Sequence, residues 1–205
     1  MKTFKIGGVH PNDSKISKDC AIEDFPVLEK AYISMAQHLG APAEPIVQKG
    51  DKVKVGQLIA KPTGFVSANI HSSVSGTVAS VEPYADLAGN PVMHVIIDVE
   101  GDEWEESIDR TPDVVREITL SKEEIIKKIQ DCGIVGLGGA SFPTHIKLTP
   151  PPGKVAEYLL INGAECEPFL TSDYRLMLEQ PEQILIGAKI MMKALDVKKC
   201  RFGVE

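Results

Sequence analysis

At 205 residues, 43% hydrophobic and 25% charged, the chain has the composition of a soluble globular protein with one or two domains and at least one sizeable core. A formal net charge of -7 without any basic stripe argues against a nucleic-acid partner. Every apolar stretch is broken by charge well before the ~18 residues that a membrane span requires, and Lys2 and Lys5 precede no secretory h-region.

Residues 1–31 show weak periodicity and several turn formers, which predicts a mostly extended, wrapping arm. From Tyr32 to about Val99 short β runs alternate with Gly, Pro and Asp: Pro45–Val47, Lys52–Val55, Gln57–Ala60, Gly76–Val81 and Val92–Ile97. Many short strands at close spacing predict a compact all-β barrel or sandwich over residues 1–100, the arm included. The order Val47-x-Lys49-Gly50-Asp51-x-Val53-x-x-Gly56-Gln57-Leu58, followed by Val74-x-Gly76-x-Val78, resembles biotinyl/lipoyl carrier domains. The hairpin tip that carries the modified lysine in those domains reads here Gly64–Ser73 and contains no lysine, so the resemblance implies the fold without the carrier function. His71 in that tip reads as a hydrogen-bonded turn histidine ahead of a metal ligand.

Residues 101–120 read as a solvated acidic linker. Between Glu100 and Glu124 there are ten acidic and three basic residues, which accounts for the whole net charge. The α/β part then begins, over residues 121–205. Ser121-Lys122-Glu123-Glu124 fits a capping box, and Ile125, Ile126 and Ile129 form the apolar face of a helix ending near Asp131. After a glycine-dense loop, Pro143 predicts the first turn of a brief helix through Lys147, and Pro150-Pro151-Pro152-Gly153 a rigid break. Glu157–Ile161 reads as a buried, parallel strand. Pro181 starts a helix with Ile184, Leu185, Ala188, Met191, Met192 and Leu195 on one face, and Cys200–Val204 completes a β–α–β unit. A doubly wound sheet needs more strands, so residues 1–205 are expected to be the front part of a longer, here truncated, Rossmann-like domain.

Two stretches carry chemistry. Four glycines lie within Gly133 to Gly139, a backbone poor in Cβ atoms that can approach a ligand closely. Consecutive N–H groups there, with a following helix, can form an anion site, read as a phosphate cradle for a nucleotide-type cofactor. No strand directly precedes the loop and no Gly-Lys-Ser/Thr closes it, so it is neither the dinucleotide fingerprint nor a P-loop, and a tight Gly turn between helices is the structural alternative. The second stretch, Asn162 to Pro168, follows the predicted strand at its C-terminal end, where open α/β sheets bind ligands. An amide there can bond a ring edge, and Glu165 and Glu167 can hold ribose hydroxyls or a carboxamide; the alternative is a solvated turn. The two stretches are expected to clasp one ligand together. Cys20, Cys132, Cys166 and Cys200 lie far apart without a CxxC pair, so no metal site is read within the chain and free thiols are expected.

Gly136-x-Gly138-Gly139-Ala140-Ser141-Phe142-Pro143-Thr144-x-x-Lys147 resembles the flavin loop of the flavoprotein subunit of respiratory complex I, and Asn162–Pro168 its second flavin segment. The fuller stretches GIVGLGGASFPTHIKL and INGAECEPFLTSDYRLMLEQP, with Ile70–Gly76 in the β part, are most similar to the RnfC family, the NADH-side subunits of Rnf ferredoxin–NAD oxidoreductases. The resemblance covers nearly the whole chain. It implies non-covalent FMN with its phosphate and ribityl chain along Gly136, Gly138 and Gly139, and Lys147 paired with flavin or phosphate. It further implies Asn162 at the isoalloxazine edge, Glu165 and Cys166 near the same ring, and Phe142 and Glu167 facing NAD(H). No residue is assigned a catalytic role of its own, because the flavin performs the redox step while the protein positions it.

By the same resemblance, two [4Fe-4S] clusters are expected beyond Glu205, other membrane and peripheral Rnf subunits are the partners, ferredoxin is met indirectly, and the site of attachment is peripheral, on the cytoplasmic side of the membrane. The fragment alone is expected to bind flavin weakly and not to turn over NADH. Two positions depart from the complex I pattern: Ala164 stands where an Asp is usual, and Ser141 where a Gly is usual. A cobalamin reductase of bacterial microcompartments shares both motifs, and a non-catalytic docking scaffold is the alternative from another class.

Overall fold

A computed structural model of the chain describes residues 11–86 and 88–204. The part of the arm expected over residues 1–10 lies outside the described residues. The chain divides into two compact units, one of residues 26–156 with 193–196 and the other built on residues 11–25, 157–192 and 197–204.

The first unit is a sandwich of short strands. β1 (Lys30–Ser34), β3 (Lys52–Val53), β6 (Gly76–Ala85) and β7 (Pro91–Val99) form a four-stranded antiparallel sheet in the order β1-β7-β6-β3. β2 (Glu44–Pro45), β4 (Leu58–Lys61) and β5 (Ile70–His71) form a three-stranded antiparallel sheet in the order β2-β4-β5. Branched apolar residues alternate onto the faces of these strands, so Ile33, Val53, Val78, Val95 and Ile97 of one sheet meet Ile59, Ala60 and Ile70 of the other in one core with Met35. Ile59, Met35, Val95 and Ile97 are completely inaccessible to solvent. This is the barrel-sandwich expected from the spacing of the short runs. The long hairpin β6–β7 turns at Asp86, whose Oδ1 accepts the N–H groups of Ala88 (2.9 Å) and Asn90 (2.8 Å). Those backbone donors hold its carboxyl below the usual carboxylate range.

Two strands depart from the sequence expectation. β1 falls at the end of the stretch expected to be arm, and β5 within the expected tip, so His71 stands on a strand and pairs with Leu58 instead of occupying a turn. Burial holds its imidazole below the ordinary histidine value.

The acidic segment is not a solvated linker along its whole length. Val55 and Trp104 form a parallel bridge, with Val55 N–H donating to Glu103 O at 2.8 Å and Glu105 N–H to Val55 O at 3.0 Å. Arg110 lies 4.4 Å from the centroid of the Trp104 ring and bonds Asp102 at 3.2 Å, while Trp104 Nε1 donates to the same carboxylate at 2.6 Å. One indole and Ile108 supply enough apolar surface to lay residues 102–110 on the sandwich, and in the irregular stretch 111–120 Ile118 O accepts from Lys193 Nζ at 2.6 Å. Beyond it comes α1 (Lys122–Asp131), which begins with the expected capping box: Glu124 N–H donates to Ser121 Oγ and Ser121 N–H to Glu124 Oε2. Ile125 is its buried residue.

In the second unit, β8 (Leu159–Asn162) and β9 (Cys200–Gly203) pair in parallel, as predicted, Leu159 opposite Cys200 and Asn162 opposite Gly203. The expectation that β8 is buried is corrected. Only Leu159 is buried and Leu160 is 70% exposed, because a sheet of two strands leaves a face open. α3 (Ser172–Glu179) is a helix without a sequence expectation, and α4 (Pro181–Leu195) begins at Pro181 as expected. Of the face predicted for α4, Ala188 is buried and Leu185 is 53% exposed, while Ile186 and Ala194, which lie off that face, are buried.

Ile97→Ala removes side-chain atoms from the dry centre of the sandwich and is expected to cost about 2–5 kcal/mol in a urea titration. Because the folded state holds His71 below its unfolded value, the unfolded chain binds its proton first. Stability is therefore expected to be complete above about pH 6.5, the unfolded histidine value, and to fall as pH drops below it, with a shallower fall in His71→Gln.

Candidate functional site

The glycine loop is a hairpin that grows out of the end of α1. Gly133 N–H donates to Gln130 O (3.0 Å) and Ile134 N–H to Ile129 O (3.1 Å), the paired bonds of a Schellman stop, with Gly133 at φ 65°. A Cβ on Gly133 would lie 2.2 Å from the backbone oxygen of Asn69. Gly133 therefore ends a helix and admits a neighbouring backbone; it is not a ligand glycine. Gly136 N–H donates to Phe142 O (2.9 Å), Val135 bridges Pro143, and Thr144 N–H donates to Ile134 O (2.9 Å), closing a ladder with residues 137–141 at its tip.

The sandwich grips this hairpin at both ends. Asn69 Nδ2 donates to Asp131 O at 2.9 Å, at the end of α1, and Leu39 N–H donates to Ala140 O at 3.2 Å, at the tip. His38, buried, joins the two gripping segments: Ala68 N–H donates to its Nε2 at 3.1 Å and its Nδ1 bonds Leu39 O at 3.2 Å. That pairing requires the proton on Nδ1. The lysine-free tip of the carrier-like fold thus serves as a cap for α1.

At the hairpin tip Gly138 and Gly139 have open space where a Cβ would stand, and Leu137 is 91% exposed. α2 (Thr144–Lys147) follows, with Pro143 as its N-cap. The exposed Lys147 sets its ammonium over Gly136, 2.7 Å from where a Cβ would be. The expectation of an amide cradle is narrowed here. The N–H groups of Gly133, Gly136 and Thr144 are already bonded, and a four-residue helix adds little dipole. What remains for an anion is the open pair Gly138–Gly139 and one lysine cation, which fits a phosphate end.

The strand tip is built in the second unit. Ala164 N–H donates to Asn162 Oδ1 at 3.1 Å, so the Asx turn takes the amide's acceptor and Asn162 keeps its NH2 as the group to offer. Gly163 N–H continues the pairing to Gly203 O at 2.8 Å. Glu165 has a side chain only 7% exposed and accepts Asp173 N–H at 2.8 Å at the start of α3, with Lys15 Nζ at 3.7 Å. It is thus a cap of α3 and half of an ion pair, while Cys166 and Glu167 are exposed. Beside them opens a cleft of about 420 Å³ lined by Lys15, Gly163, Glu165, Tyr174, Met177 and Val204.

Of the residues predicted from the sequence, Gly136, Gly138, Gly139, Phe142 and Lys147 come together on the hairpin and α2, and Asn162, Glu165, Cys166 and Glu167 on the strand tip. Tyr174 and Met177 escape sequence reasoning along with α3, although Thr171-Ser172-Asp173 ahead of a mixed apolar run is a legible helix start. Lys15 carries no local signal at all.

The model of the RnfC barrel sandwich hybrid domain matches residues 2–102, and that of the Nuo51 FMN-binding domain matches residues 129–205. The chain is 47% identical over 207 residues to a subunit of the proton-translocating ferredoxin:NAD(+) oxidoreductase complex of Clostridium ljungdahlii, covering all of this chain and 44% of that protein. It is 44% identical over 207 residues to the corresponding subunit of the Na(+)-translocating ferredoxin:NAD(+) oxidoreductase complex of Acetobacterium woodii, covering 99% and 45%. To that of the ion-translocating oxidoreductase complex of Rhodobacter capsulatus it is 42% identical over 210 residues, covering 100% and 40%. The chain thus spans less than half the length of these curated relatives. Their names favour electron transfer over a cobalamin reductase or a docking scaffold.

Gly133→Ala meets backbone at 2.2 Å in a left-handed conformation and is expected to lose about 3 kcal/mol of stability in chemical denaturation. Gly138→Ala, in open space at an ordinary φ, is expected to stay within about 0.5 kcal/mol of wild type in the same assay.

Proposed function

The chain belongs to the RnfC family, a barrel sandwich hybrid domain followed by an FMN-binding domain, and from that premise we propose that it forms the NAD(H)-facing, flavin-binding part of a membrane-bound, ion-translocating electron transport complex. The observation that carries the proposal is the hairpin tip. Two glycines with open space beside them lie at the tip of a hairpin whose Gly136 carries the Lys147 ammonium over it, within the stretch matched by the FMN-binding domain. Gly136, Gly138 and Gly139 give the phosphate and ribityl chain a backbone to lie along, with Lys147 as counter-ion. Asn162 offers its NH2 to the ring edge. Cys166 adds a polarisable side chain near the ring. Phe142 and Glu167 receive NAD(H), the ring by stacking and the carboxylate by accepting a hydrogen bond.

Glu165, which the family resemblance implies lies near the ring, acts there through the turn. Its carboxylate is already bonded to the start of α3 and to Lys15, so it shapes the turn that carries Asn162 and Glu167. FMN, when bound, supplies the exchange between two-electron and one-electron chemistry. This chain's own residues bind, orient and neutralise. The complete subunit would carry two [4Fe-4S] clusters outside residues 1–205, able to accept electrons from the flavin, and would meet ferredoxin indirectly through other subunits. No helix among the described residues is long and apolar enough to cross a membrane. The proposed attachment is peripheral, through partner subunits on the cytoplasmic side.

In the complete subunit, Lys147→Ala is expected to weaken FMN binding about tenfold, read by quenching of flavin fluorescence. Glu167→Gln is expected to keep the flavin and lose its bleaching by NADH. A wild-type subunit that quenches no flavin at saturating FMN overturns the proposal.

A further inference from the structure

Residues 11–25 run across the strand tip of the second unit as a strap, although the family model counts them with the barrel. Asp13 O accepts the N–H of Phe169 (2.8 Å), and Phe169 sits at φ 70°, a left-handed conformation that a bulky side chain rarely adopts unaided. Ser17 Oγ meets Thr171 Oγ1 at 2.8 Å, Lys18 O accepts from Arg175 Nη1 at 3.0 Å, and Ile22 N–H donates to Glu179 Oε1 at 3.0 Å. At the centre lies Lys15. Its ammonium reaches Leu170 O at 2.6 Å, Glu167 O at 3.2 Å and Glu165 Oε2 at 3.7 Å, with its side chain only 18% exposed.

Two protons of the ammonium are given to the carbonyls of Leu170 and Glu167, and the charge faces Glu165 at ion-pair distance. Lys15 is thus engaged with the turn itself, although it also stands in the wall of the 420 Å³ cleft. Each acceptor belongs to the turn 165–170, and the one charged partner, Glu165, is nearly inaccessible and otherwise held by the N–H of Asp173. An ion pair of this kind matters chiefly through what its loss leaves behind, a poorly solvated carboxylate without its cation. We propose that Lys15 is a positioning residue for the flavin and NAD(H) contacts of the turn Asn162–Glu167, acting through Glu165 and the carbonyls of Glu167 and Leu170. The arm is then part of the binding apparatus of the second unit. The proposal rests on the flavin reading above for the ligand, but not for the strap itself.

The test compares amide hydrogen exchange and FMN binding in the complete subunit. Lys15→Met is expected to speed exchange across residues 165–175 about tenfold and to weaken FMN binding about tenfold, with a changed flavin absorption envelope. Lys15→Arg, which keeps the charge and its donors, is expected to stay within about threefold of wild type on both measures. Ser17→Ala, a milder cut in the same strap, is expected to move both in the same direction by about threefold, and it decides the matter should Lys15→Met fail to fold. Lys49→Met, in the other unit, is the charge-matched control and is expected to change neither. Unchanged exchange in Lys15→Met and Ser17→Ala overturns the strap. Faster exchange with unchanged flavin affinity and spectrum overturns the positioning role. Failure of the wild-type subunit to bind FMN overturns the flavin reading instead, while the exchange comparison still decides the strap.

Discussion

Where the backbone of Gly133 meets the backbone of Asn69, there is no room for even a single carbon. A Cβ would stand 2.2 Å from the Asn69 oxygen, and the chain there has the left-handed conformation of a helix stop. The amide of Asn69 occupies the helix end as well, donating to Asp131 O. Helix, glycine hairpin and sandwich are thereby registered against one another within the first unit, and the position of the open glycines at 138 and 139 follows from it. Without that close approach the hairpin would have only its own short ladder and the Leu39–Ala140 hydrogen bond at its tip to define it, and ladders of that length are marginal in water.

The same contact explains what a carrier-like fold does without a carrier lysine. The tip Gly64–Ser73 has no side chain to take a swinging cofactor, and Asn69 within it caps α1 instead. His38 ties that tip to Leu39, which holds the far end of the hairpin. A fold that elsewhere moves a ligand is used here as a mount. The second unit solves a comparable problem by different means. There the strap of residues 11–25 supplies both the cation and the carbonyl that bind the acidic turn.

Most of the first unit could be read directly from the chain, because the information is local. Alternation over two residues marks β3, a short apolar run between turn formers marks β7, and a serine three residues ahead of a glutamate marks the start of α1; in the second unit a proline at the head of a periodic run marks α4. The misreadings arise where contacts outweigh pattern. Trp104 and Ile108 draw an acidic stretch onto the sandwich, Ile186 and Ala194 are buried on α4 while Leu185 is exposed, and α3 forms across a stretch rich in polar residues.

The residues proposed for the binding chemistry, from Gly136 to Lys147 and from Asn162 to Glu167, could be picked out from the sequence itself, since backbone freedom, charge and amide chemistry are properties of residues and their immediate spacing. Which of those residues are already spent was decided only in three dimensions. Gly133 proved to be a helix stop, and Glu165 a cap whose counter-ion, Lys15, comes from 150 residues earlier in the chain. A hydrogen bond has one geometry and a finite number of donors, and no reading along the chain can tell which partners have claimed them.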